Sequence, residues 1–281
     1  MTREGNLASA AWLAAHLDAP DVVVFDCRFD LTRPAAGRQQ YAQGHIPGAH
    51  YLDLEEDLSA PKQPHGGRHP LPELSTFCGK MGALGVDEAV TVVAYDAQHG
   101  AMAARLWWML RFLGHDRVRV LDGGWGAWVA GGFPVSRDVR AGRPRTFVPR
   151  VRSGILVDIE DLRRRRSDGA RLVDSRAPER YRGEVEPLDP VAGHIPGASN
   201  LPWDGNVDEQ GFLKPAEALR ERFAGLRDDP GDVVVYCGSG VTACVNLLAM
   251  EEAGITDARL YLGGWSDWCS YPENPTAKVQ P

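Results

Sequence analysis

Val233-Val234-Val235-Tyr236-Cys237-Gly238-Ser239-Gly240-Val241-Thr242 runs from an apolar strand into a glycine-bearing loop, and a helix-like stretch, Ala243 to Glu252, follows at once. A fully apolar run of this kind fits a strand covered on both faces, as in a parallel sheet. Gly238 and Gly240 let the chain curl tightly around the Cys237 sulfur. The helix N-terminus behind the loop adds positive partial charge, which favours a thiolate or a bound anion. Open α/β sheets bind ligands at the carboxyl ends of their strands. A cysteine so placed is built to react as its nucleophilic thiolate.

Working outward, the same order of segments is written twice. The first copy reads Val22-Val23-Val24-Phe25-Asp26-Cys27-Arg28, Gly44-His45-Ile46-Pro47-Gly48-Ala49, Thr91-Val92-Val93-Ala94-Tyr95-Asp96 and Leu121-Asp122-Gly123-Gly124-Trp125. The second reads Leu172-Val173-Asp174-Ser175-Arg176, Gly193 to Ala198, Val233 to Cys237 and Leu260 to Trp265. His45 and His194 are 149 residues apart, whereas Trp125 and Trp265 are 140 apart, so the first copy carries a longer loop. That loop is assigned to Ser59–Pro72, rich in proline, glycine and histidine, and is expected at the surface. His50, His65 and His69 show no regular ligand spacing, and no metal is expected.

Val-rich runs alternating with helical stretches predict an α/β protein of two tandem domains, each a small parallel sheet with helices on both faces. The first domain is placed at 1–135 and the second at 153–281, joined by an extended, polar and basic linker at 136–152. Asp26 and Asp174, at strand ends, are read as acceptors that pin loops. His45 and His194, present in both copies, are read as structural turn residues, and Trp107 and Trp108 as core. Where the second copy has Tyr236-Cys237 the first has Tyr95-Asp96, so the first lacks the nucleophile.

The 281 residues, 43% hydrophobic and 25% charged, suit a globular protein of about two domains. A net charge of −7 gives no general attraction to nucleic acid or to an anionic membrane, so an anionic substrate must be drawn by local cations. The run Arg163–Arg166 is explained by cations near the end of a helix that opens at Asp158. Five cysteines without a C-x-x-C pair suggest neither a disulfide framework nor a zinc site and fit a reducing cytoplasm. Cys27, Cys78 and Cys269 read as small buried hydrophobes. Cys244, seven residues beyond Cys237, lies too far along the proposed helix to pair with it unless the chain unwinds. Ser9 and His16 interrupt the apolar segment Leu7 to Leu17, and no stretch reaches the length of a membrane span.

The loop Cys237-Gly238-Ser239-Gly240-Val241-Thr242 resembles the active-site loop of the rhodanese-type sulfurtransferases, and Val173 to Arg176, Gly193 to Ala198 and Leu262-Gly263-Gly264-Trp265 follow the family's order of landmarks. The likeness covers nearly the whole chain, and the loop is most similar to that of the 3-mercaptopyruvate sulfurtransferases. Thiosulfate-specific members usually carry basic residues inside it. The resemblance implies two rhodanese-like domains, the first inactive, and no cofactor. It implies that Cys237 takes a sulfur from 3-mercaptopyruvate as a persulfide and passes it to a thiol or cyanide, a thioredoxin-like protein being one candidate acceptor. Gly238, Ser239, Gly240, Val241 and Thr242 then form the substrate cradle, with Thr242 as helix cap. Arg180 best matches the family's carboxylate-binding arginine. A second family arginine sits in a Pro-Arg-Asp stretch, but this chain reads Pro187-Leu188-Asp189, which leaves Arg182 as the substitute.

Three other functions are open to the same residues. A thiosulfate:cyanide sulfurtransferase differs only in its donor. A sulfur-carrying or protein-binding module would use the tandem domains without turnover. A cysteine phosphatase or arsenate reductase needs an arginine after the loop, where this chain has Ala243, Cys244 and Val245.

Overall fold

The computed structural model describes residues 5–227 and 232–279. They form two compact units, and neither is one continuous stretch. Residues 1–60, 71–152 and 207–213 make unit 1, and residues 61–70, 153–206 and 214–281 make unit 2. The segment Pro61–Pro70 therefore folds with unit 2, and Val207–Leu213 with unit 1.

Unit 1 contains β1 (Leu7–Ala8), β2 (Val22–Asp26), β3 (His50–Tyr51), β4 (Thr91–Tyr95) and β5 (Val118–Leu121), in the sheet order β1-β5-β4-β2-β3. Unit 2 contains β6 (Leu156–Val157), β7 (Arg171–Asp174), β8 (Ser199–Asn200), β9 (Val233–Tyr236) and β10 (Arg259–Tyr261), in the order β6-β10-β9-β7-β8. All pairings are parallel. The two orders are the same, so the written repeat is a structural one, and helices flank both sheets as the valine runs predict. Every residue of β4 and β9 is buried, because side chains on both faces meet helices.

In each sheet the strand order reverses at the central pair, β4 with β2 and β9 with β7. Loops leaving the two strands run in opposite directions there and open a crevice at their carboxyl ends. Asp96 and Cys237 are the first residues beyond β4 and β9. The helices that follow, Ala103–Phe112 and Ala243–Glu252, are buried over all or most of their length, which fixes their N-termini beneath the two loops. Trp107 and Trp108 lie in that buried helix as expected. The apolar segment at Leu7 becomes β1 and the helix Ala10–Ala15, capped by Ser9 accepting the Trp12 N–H at 3.1 Å.

A buried aspartate-arginine pair stands at the end of each first long strand. Asp26 accepts from the Arg28 backbone N–H at 3.0 Å and from Nη2 at 2.5 Å, and Arg28 Nη2 also reaches the Gly44 carbonyl at 2.7 Å. Asp174, Arg176 and the Gly193 carbonyl repeat the arrangement at 2.9, 2.6 and 2.6 Å. The expected loop-pinning role of both aspartates is borne out. The pairs draw Gly44 and Gly193, which open the His-Ile-Pro-Gly turns, onto the strand ends. His45 and His194 complete those turns by bonding the Tyr41 and Tyr181 carbonyls through Nδ1 and stacking on the same tyrosines at 4.0 and 3.9 Å.

Breaking one partner of a buried pair leaves an uncompensated charge. Arg28→Met is expected to lower stability by about 3–5 kcal/mol, read as a fall in the denaturation midpoint. An unchanged midpoint contradicts the pinning role.

Candidate active site

The loop Cys237–Thr242 is held from below by the Gly-Gly-Trp segment. The Trp265 N–H donates to the Cys237 carbonyl at 2.8 Å and the Ser266 N–H to that of Gly238 at 2.9 Å. This approach needs glycine: Gly264 has φ +61, and a Cβ there would stand 2.6 Å from the Cys237 oxygen. Gly240 has φ +71, and its Cβ would meet the Leu262 oxygen at 2.2 Å. Cys237 and Ser239 are buried, 2% and 5% exposed.

Unit 1 shows what such a loop gathers. Asp96 occupies the same position as Cys237: the Trp125 N–H donates to its carbonyl at 2.8 Å, and Gly124 with φ +54 packs against that oxygen. The Asp96 carboxylate lies among the N–H groups of Gln98 (2.8 Å), Gly100 (2.9 Å), Met102 (2.8 Å) and Ala103 (2.8 Å). The loop between this strand and this helix therefore converges its donors on an anion. In unit 1 the anion is the chain's own side chain.

The loop Ser59–Pro72 is at the surface over residues 61–65, as expected, but the stretch that follows turns inward. The Gly66 N–H donates to Asp267 Oδ1 at 2.7 Å, the Arg68 N–H to Ser266 Oγ at 3.1 Å, and Gly67 packs against the Gly263 backbone. His65 stacks on Tyr271 at 4.1 Å. These contacts deliver His69, 5% exposed, to the loop, where its Nδ1 lies 2.7 Å from Ser239 Oγ. The sequence offers His69 only as a rejected metal ligand, and nothing in it singles out Arg68. The signal available was that this insertion alone breaks the spacing of the repeat while carrying glycines and polar side chains.

Arg180 stands beside the loop. A Cβ at Gly238 would lie 2.7 Å from Nη2 of Arg68 and 3.5 and 3.7 Å from Nη1 and Nη2 of Arg180. Arg180 Nη2 donates to Glu186 Oε1 at 2.6 Å and to Asp189 Oδ2 at 3.4 Å, and Arg68 Nη1 pairs with the other oxygen of Asp189. Glu186 in turn accepts from Arg176 Nη1 at 3.2 Å. Arg182 forms a two-point ion pair with Glu184, at 2.7 and 2.8 Å, on the exposed surface, and the atoms nearest Gly238 are those of Arg68 and Arg180.

Thr242 precedes the helix Ala243–Glu252 but makes no side-chain cap hydrogen bond. Its backbone is already helical (φ −69, ψ −18), which turns the hydroxyl away from the first N–H groups, so the expected cap is corrected. Val241 is buried beside it. Burial raises the thiol pKa of Cys27 and Cys78, and pushes that of Cys269 up to about 11, which leaves these thiols protonated and unreactive. Arg163, Arg164 and Arg165 are spent on Glu160, Glu273, Asp161 and Asp232, and Arg166 bonds the Pro196 carbonyl. Among the described residues no helix is long and apolar enough to cross a membrane.

A family model described as the rhodanese-like domain matches residues 9–131 and again residues 158–271. A Pseudomonas aeruginosa protein named "Probable 3-mercaptopyruvate sulfurtransferase" is 46% identical over 277 residues, covering 97% of this chain and 98% of that one. The thiosulfate sulfurtransferase of Cricetulus griseus is 35% identical over 277 residues, covering 93% and 91%. The crystal structure of SseA from Escherichia coli, described as a 3-mercaptopyruvate sulfotransferase, superposes with a TM-score of 0.81 at 34% identity, over 94% of this chain and all of that one. Two matched domains and relatives similar along nearly their whole length establish that the chain belongs to the rhodanese-like family.

Proposed function

We propose that this chain is a 3-mercaptopyruvate sulfurtransferase in which Cys237 carries the transferred sulfur. The observation that carries this reading is the pairing of a cradle built for an anion with a thiol in place of the carboxylate that fills it in unit 1. The loop Cys237–Thr242 contains no cation of its own, and the guanidinium of Arg180 faces it at Gly238. A donor bearing a single carboxylate beside its reacting sulfur fits that arrangement better than thiosulfate, a compact dianion that leaves as sulfite. The relatives' names divide between the two donors, with mercaptopyruvate on the protein at 46% identity.

In the first half-reaction a lone pair of the Cys237 thiolate forms a bond to the donor sulfur while the carbon-sulfur bond breaks. The electron pair of that bond passes into the enolate of pyruvate, the donor's thiol hydrogen stays on the outer sulfur, and Cys237 becomes Cys-S-SH. A proton then restores the methyl group of pyruvate. Ser239 and His69 are placed for the charge that builds on the enolate oxygen. With its proton on Nδ1, His69 donates to Ser239 Oγ across 2.7 Å and leaves the serine hydroxyl hydrogen to stabilise that oxygen. Backbone N–H groups of the cradle stabilise the persulfide anion once its proton is lost. In the second half-reaction an acceptor thiolate, or cyanide, attacks the outer sulfur and expels the Cys237 thiolate, giving a ping-pong cycle. A thiol of a thioredoxin-like protein suits this step. All five cysteines are free, which fits work in the reducing cytoplasm.

Cys237→Ser is expected to abolish sulfur transfer with the fold retained, read as loss of pyruvate release with an unchanged thermal transition. The wild type should show the higher kcat/KM with mercaptopyruvate, and a preference for thiosulfate at equal concentration overturns the donor assignment. Ser239→Ala and His69→Ala should each lower kcat by about tenfold or more. The double variant should lose little beyond either single one, because the two side chains act as one unit. Additive losses contradict the relay. Arg180→Ala should raise the KM for mercaptopyruvate by about tenfold or more, since a charge-assisted hydrogen bond is worth about 1.5–3 kcal/mol. An unchanged KM places the carboxylate elsewhere.

A further inference from the structure

We propose that Arg68 is a second carboxylate-binding guanidinium, acting jointly with Arg180 at the mouth of the cradle and setting the preference for donors that carry a carboxylate. The proposal deepens the reading of Cys237 as the sulfur-bearing thiol and rests on it.

Both guanidinium groups are tied at the back and open at the front. Arg68 is held through its backbone N–H on Ser266 and through Nη1 on Asp189. Arg180 is held through Nε and Nη2 on Glu186, at 3.3 and 2.6 Å, and through Nη2 on the same Asp189. Among the described residues, Nη2 of Arg68 and Nη1 of Arg180 have no acceptor, and these are the nitrogens nearest to Gly238, the residue after the nucleophile. The side chains of Glu186 and Asp189 are 3% exposed, whereas those of Arg68 and Arg180 are 17% exposed. The network therefore buries its acids and turns its cations toward the loop.

Asp189 accepts from both arginines and so fixes their separation; it acts as a positioning residue. A planar fork with one edge already bound offers its remaining N–H groups in a set direction, so little entropy is lost when a carboxylate arrives. Glycine at 238 is part of the same site. Any larger side chain would meet Arg68 Nη2, 2.7 Å from the Cβ position, where the substrate carboxylate has to lie.

Alkylation of Cys237 separates carboxylate recognition from thiol reactivity. Iodoacetate and iodoacetamide attack the same sulfur and differ in the carboxylate, so the ratio of their rates cancels any change in the thiol itself. The rates are read by peptide mass on the fragment carrying Cys237. In Arg68→Ala the iodoacetate-to-iodoacetamide ratio is expected to fall by about tenfold or more, with the KM for mercaptopyruvate rising in parallel and kcat nearly unchanged. Arg68→Gln, which keeps an N–H for Asp189 and loses the charge, should behave in the same way, and it serves if the alanine variant fails to fold. Arg68→Lys should restore the ratio in part. A ratio equal to the wild type in the folded alanine or glutamine variant overturns the proposal. Failure of Cys237 to react with either reagent in the wild type would instead overturn the reading of the thiol on which it rests.

Discussion

The buried ion pair between Asp174 and Arg176 joins the fold to the chemistry. Asp174 ends a central strand, takes the backbone N–H and guanidinium of Arg176, and leaves Arg176 with donors for the Gly193 carbonyl and for Glu186. Glu186 orients Arg180, and Asp189 ties Arg180 to Arg68. Burial works against the Arg176 charge, but hydrogen bonding to Asp174 and its attraction prevail and hold the pKa above the ordinary arginine value. A charge that cannot be lost makes a rigid link. The cations beside the loop Cys237–Thr242 are thus set by a relay that starts in the sheet.

Unit 1 keeps the first part of that relay and discards the rest. Asp26 and Arg28 reproduce the strand-end pair, and Trp125 reproduces the clasp on the loop carbonyl. The carboxylate of Asp96 then fills the cradle from within. A loop satisfied by its own side chain gains stability and has no room for a substrate anion. In unit 2 the corresponding position holds the thiol of Cys237, which brings no charge of its own to fill the loop unless it ionises. The clasp beneath the two loops is shared, whereas the loops themselves differ, with seven residues from Asp96 to Met102 and six from Cys237 to Thr242.

Much of this was legible in the sequence because it is local. A strand, a turn and a helix N-terminus are adjacent along the chain, so Val233 to Glu252 disclosed the position of Cys237, and the repeat disclosed the parallel sheets. The pinning roles of Asp26, Asp174, His45 and His194 followed from their places at strand ends and turns. His69 and Arg68 were not legible, because they reach Ser239 and Gly238 across about 170 residues of chain and only the folded path of Pro61–Pro70 brings them there. Arg182 shows the converse difficulty. It lies two residues from Arg180, but on this short helix the two side chains point different ways, and Glu184 holds it at the surface. Thr242 was read as a cap from its type and position, and its helical backbone angles remove that role.

The proposed ping-pong cycle requires Cys237 to hold the sulfur between the two half-reactions. Intact-protein mass after incubation with 3-mercaptopyruvate and no acceptor tests this most directly. One added sulfur atom, mapped to the peptide containing Cys237 and removed by cyanide, is the predicted result. Release of pyruvate with Cys237 unmodified, or sulfur found on another cysteine, would contradict it.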